Sequence, residues 1–239
     1  MKTYRMNAVM TGVLYFLGTV FGVLGALVGG EVLTSIISGK PLAGVDMLSL
    51  VASNSSQLTW GAFFTLTMGI SLVGMTVFLY PVLRKASKEL AMGMVLFRGA
   101  LEGIFYCLST LTFLTLVAVG NTYVETGSDS VVLQTIGDLL YQFANLTAPV
   151  SSIIFLIGCT CIYVAFYRTR LVPRWLSVWG FIGVVTSVVA ALLNFFHIDP
   201  GIGFYLEMVI APQEIVMALW LIVKGFNQSA IAALFAKTE

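Results

Sequence analysis

Six stretches of this chain stay apolar for long enough to cross a bilayer, at roughly residues 8–30, 59–83, 91–119, 145–168, 175–196 and 203–224. A helix rises 1.5 Å per residue, so about 20 apolar residues span the ~30 Å hydrocarbon layer. Between the first two stretches, Ser38 to Gln57 is polar and carries Pro41, Gly44, Asn54, Ser55 and Ser56, the composition of an irregular loop. Between the third and fourth, Val131, Val132, Leu133, Ile136, Leu139, Leu140 and Phe143 recur at helical spacing against Gln134, Asp138 and Gln142. Residues 131–143 therefore read as an amphipathic helix on the membrane surface, as a half-buried lid, or as the outer turns of the fourth span. The pattern predicts an all-α fold, a single polytopic transmembrane bundle of six spans over residues 1–239.

Composition agrees: 59% of the 239 residues are hydrophobic, 10% are charged, and the mean hydropathy is +0.98. A soluble domain carries about 25% charge, so the bilayer is the first partner implied. No basic tract points to nucleic acid. The cations then set orientation. Lys2 and Arg5, Arg84, Lys85 and Lys88, Arg168, Arg170 and Arg174, and Lys224 and Lys237 all fall on one side of a six-span chain. The opposite connections hold Lys40 with Glu31, Asp46, Glu125, Asp129, Asp138 and Asp199. By the positive-inside rule both termini are cytoplasmic, as expected of a multi-pass inner-membrane protein. Trp60, Trp175, Trp179 and Trp220 lie near span ends, where aromatic belts form. The run from Asn7 to Gly30 is too long for a signal-peptide core of about 7–15 residues and reads as a retained first helix. Cys107, Cys159 and Cys161 fall inside spans, where thiols act as small hydrophobes rather than a disulfide framework.

Small residues predict how the spans pack. Gly18, Gly22, Gly25 and Gly29 form a stripe on the first span, and Gly99 and Gly103 repeat it on the third. Such stripes let helix backbones approach closely in lipid; a hinge or pore-lining face is the weaker alternative. Pro149 falls in the first turns of the fourth predicted span, where a proline costs no helical hydrogen bond.

Four ionisable residues interrupt the apolar runs: Arg98, Glu102, Glu207 and Glu214. A charge at mid-bilayer costs about 2.5–3.5 kcal/mol on insertion scales, so such residues face the bundle interior and mark candidate ligand- or ion-binding positions. Arg98 and Glu102 share a helix face at a spacing of four; Glu207 and Glu214 share one at a spacing of seven. Counted from the span ends, Glu102 and Glu214 both lie near mid-membrane, Glu207 nearer the outer surface and Arg98 nearer the inner one. One cation against three carboxylates leaves negative charge to be met by a proton or a bound cation. Pro212 frees a backbone carbonyl near residue 208, and with Gln213 and Glu214 it predicts a polar break in the sixth span.

Secondary candidates are Gln213 and, at the outer end of the fifth span, Asn194 and His197. A single histidine with scattered carboxylates is a poor metal signature, and no metal or cofactor is expected. Neither H-E-x-x-H, a serine elbow, a P-loop nor a nucleotide fingerprint is present, so an enzyme is disfavoured.

Several motifs carry a resemblance: Y-R-x6-G-V-L-Y-F-L-G (Tyr4 to Gly18), L-Y-P-V-L (Leu79 to Leu83), F-R-x-x-x-E (Phe97 to Glu102), R-L-V-P-R-W-L-S-V-W-G (Arg170 to Gly180) and P-Q-E-I-V-M-A-L-W-L-I-V-K-G-F-N (Pro212 to Asn227). On these the chain resembles the bacterial membrane-protein family DUF4386, which implies a multi-helix inner-membrane protein and no assigned activity. Three functional readings follow. The foremost is binding or moving a small molecule, lipid or ion at a polar cluster between spans three and six, with proton linkage as one form. The alternative is a structural or regulatory component whose Arg/Glu network only clamps the bundle, and the third is an intramembrane lipid-modifying enzyme.

Overall fold

The computed structural model describes residues 2–38, 46–196 and 198–236, with side chains from Tyr4 onward except at Ser38. Every described element is helical. Six helical stretches are long and apolar enough to span a membrane: Tyr4–Val28, Ser55–Ala86, Lys88–Glu125, Val131–Thr169, Arg174–Phe195 and Gly203–Val223. The helices are α1 (Lys2–Val28), α2 (Gly30–Ser38), α3 (Met47–Ser53), α4 (Ser55–Ala86), α5 (Lys88–Gly93), α6 (Glu102–Glu125), α7 (Val131–Thr169), α8 (Arg174–Phe195), α9 (Gly203–Glu207), α10 (Ile210–Val223) and α11 (Gln228–Ala236). Between α5 and α6 the third span widens into a π-helix over Met94–Leu101.

Each spanning helix lies against the one before it, and α10 returns to α1, so the six spans close into a ring. Successive spans run antiparallel, which defines a terminal side, holding both chain ends, and a far side. The glycines work as the stripe predicts: a Cβ on Gly18 would sit 2.7 Å from Leu72 and one on Gly22 2.8 Å from Met68, which seats α1 directly on α4. Gly99 and Gly103 meet Thr76 and Val73 of α4 in the same way. On the terminal side, Met75, Leu79, Val82, Leu83, Met94, Phe166 and Leu221 fill the ring with apolar side chains. There Arg5 donates to the carbonyls of Ile222 and Val223 at 2.9 and 3.0 Å, giving the C-terminal end of α10 the cation its dipole favours.

Part of the stretch predicted as an irregular loop, Ser38 to Gln57, is helical. Residues 39–45, including Pro41 and Gly44, lie outside the described residues, but Met47–Ser53 forms α3. Asp46 caps it, accepting from the Ser49 hydroxyl at 2.6 Å, and that bond holds its carboxyl below the usual carboxylate range. Leu48 and Val51 of α3 are buried against glycines: a Cβ on Gly120 would meet Val51 at 2.9 Å. With Val32, Leu33 and Ile36 of α2 and Phe113 and Leu116 of α6 they make a second core on the far side.

Residues 131–143 belong to α7, a continuous helix of 39 residues. Gln134 donates to the Tyr123 hydroxyl at 2.6 Å, tying these turns to the end of α6. Pro149 therefore sits in the helix interior, not in its first turns. It leaves the Asn145 carbonyl without its helical donor. The break in the sixth span likewise falls at Met208–Val209, between α9 and α10, and not across residues 212–214. The reason is steric: the Pro212 ring excludes the carbonyl four residues earlier, so the helix parts there and Pro212, Gln213 and Glu214 lie in the first turns of α10.

Candidate functional site

Three of the four intramembrane charges meet inside the ring. Arg98 donates through Nη1 to Glu102 Oε1 at 2.5 Å and through Nη2 to Glu214 Oε1 at 3.2 Å. The second bond joins the third span to the sixth, which are not neighbours around the ring, so it crosses the bundle interior. Two tyrosines complete the set: Tyr106 donates to Glu102 Oε1 at 2.8 Å, and Tyr15 of α1 donates to Glu214 Oε1 at 2.9 Å. The Arg98 guanidinium also lies over the rings of Phe155 at 4.4 Å and Tyr15 at 5.6 Å. Arg98 is 2% exposed and Glu102 0%, so these interactions act in low dielectric, where geometry and pairing count most. Arg98 Nε and Glu102 Oε2 are buried without a protein partner.

The π-helix shapes this site. A Cβ on Gly158 of α7 would lie 2.6 Å from the Arg98 amide nitrogen, so α7 rests on the backbone of the widened turn itself. Such segments recur at functional positions because they re-aim side chains that a regular helix would point elsewhere. A second cross-ring connection lies beside the first. Gln213, 0% exposed, accepts from the Tyr163 hydroxyl at 2.7 Å and donates to the Leu176 carbonyl at 3.0 Å. Its amide is occupied in joining α10 to α7 and α8.

Glu207 stands apart from the cluster. It lines a cavity of about 1010 Å³ in the far half of the ring, to which all six spans contribute. Asn194 and Asp199 line it too, although Asp199 is engaged in capping α9 through the amides of Gly201, Ile202 and Gly203 at 2.9, 3.0 and 3.1 Å. His197 lies outside the described residues, and no group of three or more potential metal ligands occurs among those described.

The cavity wall mixes apolar surface from Leu33, Met68 and Phe113 with Ser109, Asn145, Ser152 and Ser187. Ser187 Oγ is buried without a protein partner. Arg98, Glu102 and Glu214 do not line the space; Tyr106 and Phe155 do, and both contact the ion network. The network is thus the floor under the cavity, and the apolar terminal-side core seals the ring below it.

Sequence reasoning missed Tyr15, Tyr106, Phe155 and the serine lining. Tyr106 carried a signal, because it follows Glu102 by four residues on one helix face. The others depend on which helices become neighbours.

The family described as Domain of unknown function (DUF4386) matches residues 10–225. An uncharacterized protein of Archaeoglobus fulgidus is 26% identical over 173 residues, covering 72% of this chain and 86% of that protein. No solved structure matches the chain.

Proposed function

The chain belongs to the DUF4386 family, and from the geometry of its interior we propose that it is a membrane receptor or carrier for a small amphipathic molecule or lipid, bound in the far-side cavity. The observation that carries this reading is the space of about 1010 Å³ lined by all six spans, at the upper end of the ~300–1,000 Å³ range of small-ligand pockets. A bundle serving only as a scaffold gains by closing such a space, because packing contacts are what hold helices together in lipid. The wall combines apolar surface for a hydrocarbon body with hydroxyl and amide groups for a polar head. Among the described residues its carboxylates, Glu207 and Asp199, are matched by no cation in the lining, which favours neutral or cationic ligands over anionic ones. With the terminal side in the cytoplasm, the orientation that the distribution of cations favours, the cavity faces outward.

The test is saturable binding of N-phenyl-1-naphthylamine, a neutral fluorescent amphiphile, to purified protein. Binding is expected to weaken in Ser152→Trp, whose indole intrudes into the cavity, with thermal stability unchanged. Equal binding by that variant refutes the reading. The clamp reading is favoured by a specific observation, the absence of Arg98, Glu102 and Glu214 from the cavity wall. The two combine: the network holds the floor, and the space above it binds.

A further inference from the structure

A second concavity, of about 550 Å³, opens on the terminal side, remote from the cavity above. It lies where the turn between α7 and α8 meets the turn between α10 and α11. The Asn227 amide donates to the Leu171 carbonyl at 2.9 Å and fastens one turn to the other. Two of the longest sequence motifs, Arg170 to Gly180 and Pro212 to Asn227, thereby converge on one spot. Arg170, Arg174 and Lys224 line it, and among the described residues no carboxylate does. The two ion pairs among the described residues both belong to Arg98, so these three cations converge on one hollow without a counterion. The floor is apolar, with Leu171, Val172 and Phe226 buried.

Trp220 lines the rim and meets Trp175 edge-on at 6.4 Å, a pairing suited to the depth of lipid headgroups. Arg174 is held over the Tyr167 ring at 5.0 Å, and Arg170 is fixed in a left-handed conformation with φ of 56° as the C-cap of α7. These constraints lower the entropy lost when a ligand is gripped.

We propose that this hollow binds a phosphate group, as the headgroup of an anionic phospholipid or as free phosphate. Guanidinium forks match phosphate oxygens two at a time, and Lys224 adds a point charge. With a lipid, the acyl chains leave past Trp220 into the bilayer. The inference is independent of the far-side cavity, so either can fail without the other.

The experiment is native mass spectrometry, with thermal unfolding, of the full chain in dodecyl maltoside. The probes are phosphatidylglycerol, phosphatidylcholine and inorganic phosphate. Phosphatidylglycerol is expected to bind and raise Tm, and phosphatidylcholine to do neither. Each cation removed is expected to weaken binding about fivefold, and Arg170→Asn/Arg174→Gln/Lys224→Gln together on the order of a hundredfold. Asparagine at 170 tolerates the left-handed backbone. Inorganic phosphate that displaces the lipid and reproduces the shift identifies the free anion as a ligand; inert phosphate identifies the headgroup.

Wild-type affinity for phosphatidylglycerol in the triple variant overturns the proposal. So does an equal loss in Arg84→Gln/Lys88→Gln, which lowers basic charge on the same side away from the hollow. Should the triple variant not fold, Lys224→Gln alone carries the test at its fivefold level, and unchanged affinity there counts against the site.

Discussion

Replacing Arg98 by methionine keeps an unbranched chain over Phe155 and Tyr15 while removing the only cation in the network. The substitution breaks the bonds of 2.5 Å to Glu102 and 3.2 Å to Glu214. Glu102 and Glu214 keep one tyrosine hydroxyl each, at side-chain exposures of 1% and 12%. Orphaning a buried charge in this way costs about 3–5 kcal/mol, whereas a single interhelical side-chain hydrogen bond in a membrane averages about 0.6 kcal/mol. Arg98→Met should therefore raise the unfolding constant by two to three and a half decades, roughly, at about 1.4 kcal/mol per decade, and Tyr15→Phe by less than one. Adding Glu102→Gln and Glu214→Gln to Arg98→Met removes the orphaned charges and should restore most of the stability. Equilibrium unfolding in mixed dodecyl maltoside and SDS micelles measures all of these variants. A destabilisation under about 1 kcal/mol for Arg98→Met, or no recovery in the triple variant, refutes the reasoning that pairing holds these spans together.

Gly158→Leu should cost about 1–3 kcal/mol or more and disturb the π-helix, because even a Cβ there meets the Arg98 amide nitrogen at 2.6 Å; wild-type unfolding in the same micelles would show that α7 does not rest on that backbone. Asp46→Ala should fray α3, read as faster amide exchange over residues 47–53 with α4 unaffected. In the wild type, the lowered Asp46 carboxyl supports α3 above the ordinary carboxylate range, and that support is lost as pH falls through its folded value. Exchange in α3 that ignores acidification would contradict the cap.

The spans are legible because hydropathy over twenty residues is a one-dimensional property, and so is the Arg98–Glu102 pair, whose spacing is set within one helix. Counting residues from the span ends also brings Glu102 and Glu214 to a common depth and leaves Glu207 above them. Beyond that the chain becomes a problem of neighbours. Nothing near Tyr15 indicates that α1 closes the ring against α10. The π-helix has no local mark other than Gly99, and the glycine packed on its backbone, Gly158, comes from another span. The interior position of Pro149 follows from one of the three readings open for residues 131–143, the outer turns of the fourth span, which the polar residues Gln134, Asp138 and Gln142 kept the sequence from selecting. Cavities leave no sequence trace, because they arise where side chains fail to fill space between elements.

The pairing of Arg98 with Glu102 bears on how the protein is made. Spans enter the membrane in order, and the Glu214 partner arrives only with the last of them. A lone arginine in the third span would meet the insertion machinery at a penalty of about 2.5–3.5 kcal/mol. A glutamate one turn away lets that segment carry its own counterion into lipid before any other helix is available. The bond to Glu214 can then form last, when the sixth helix docks and closes the circle.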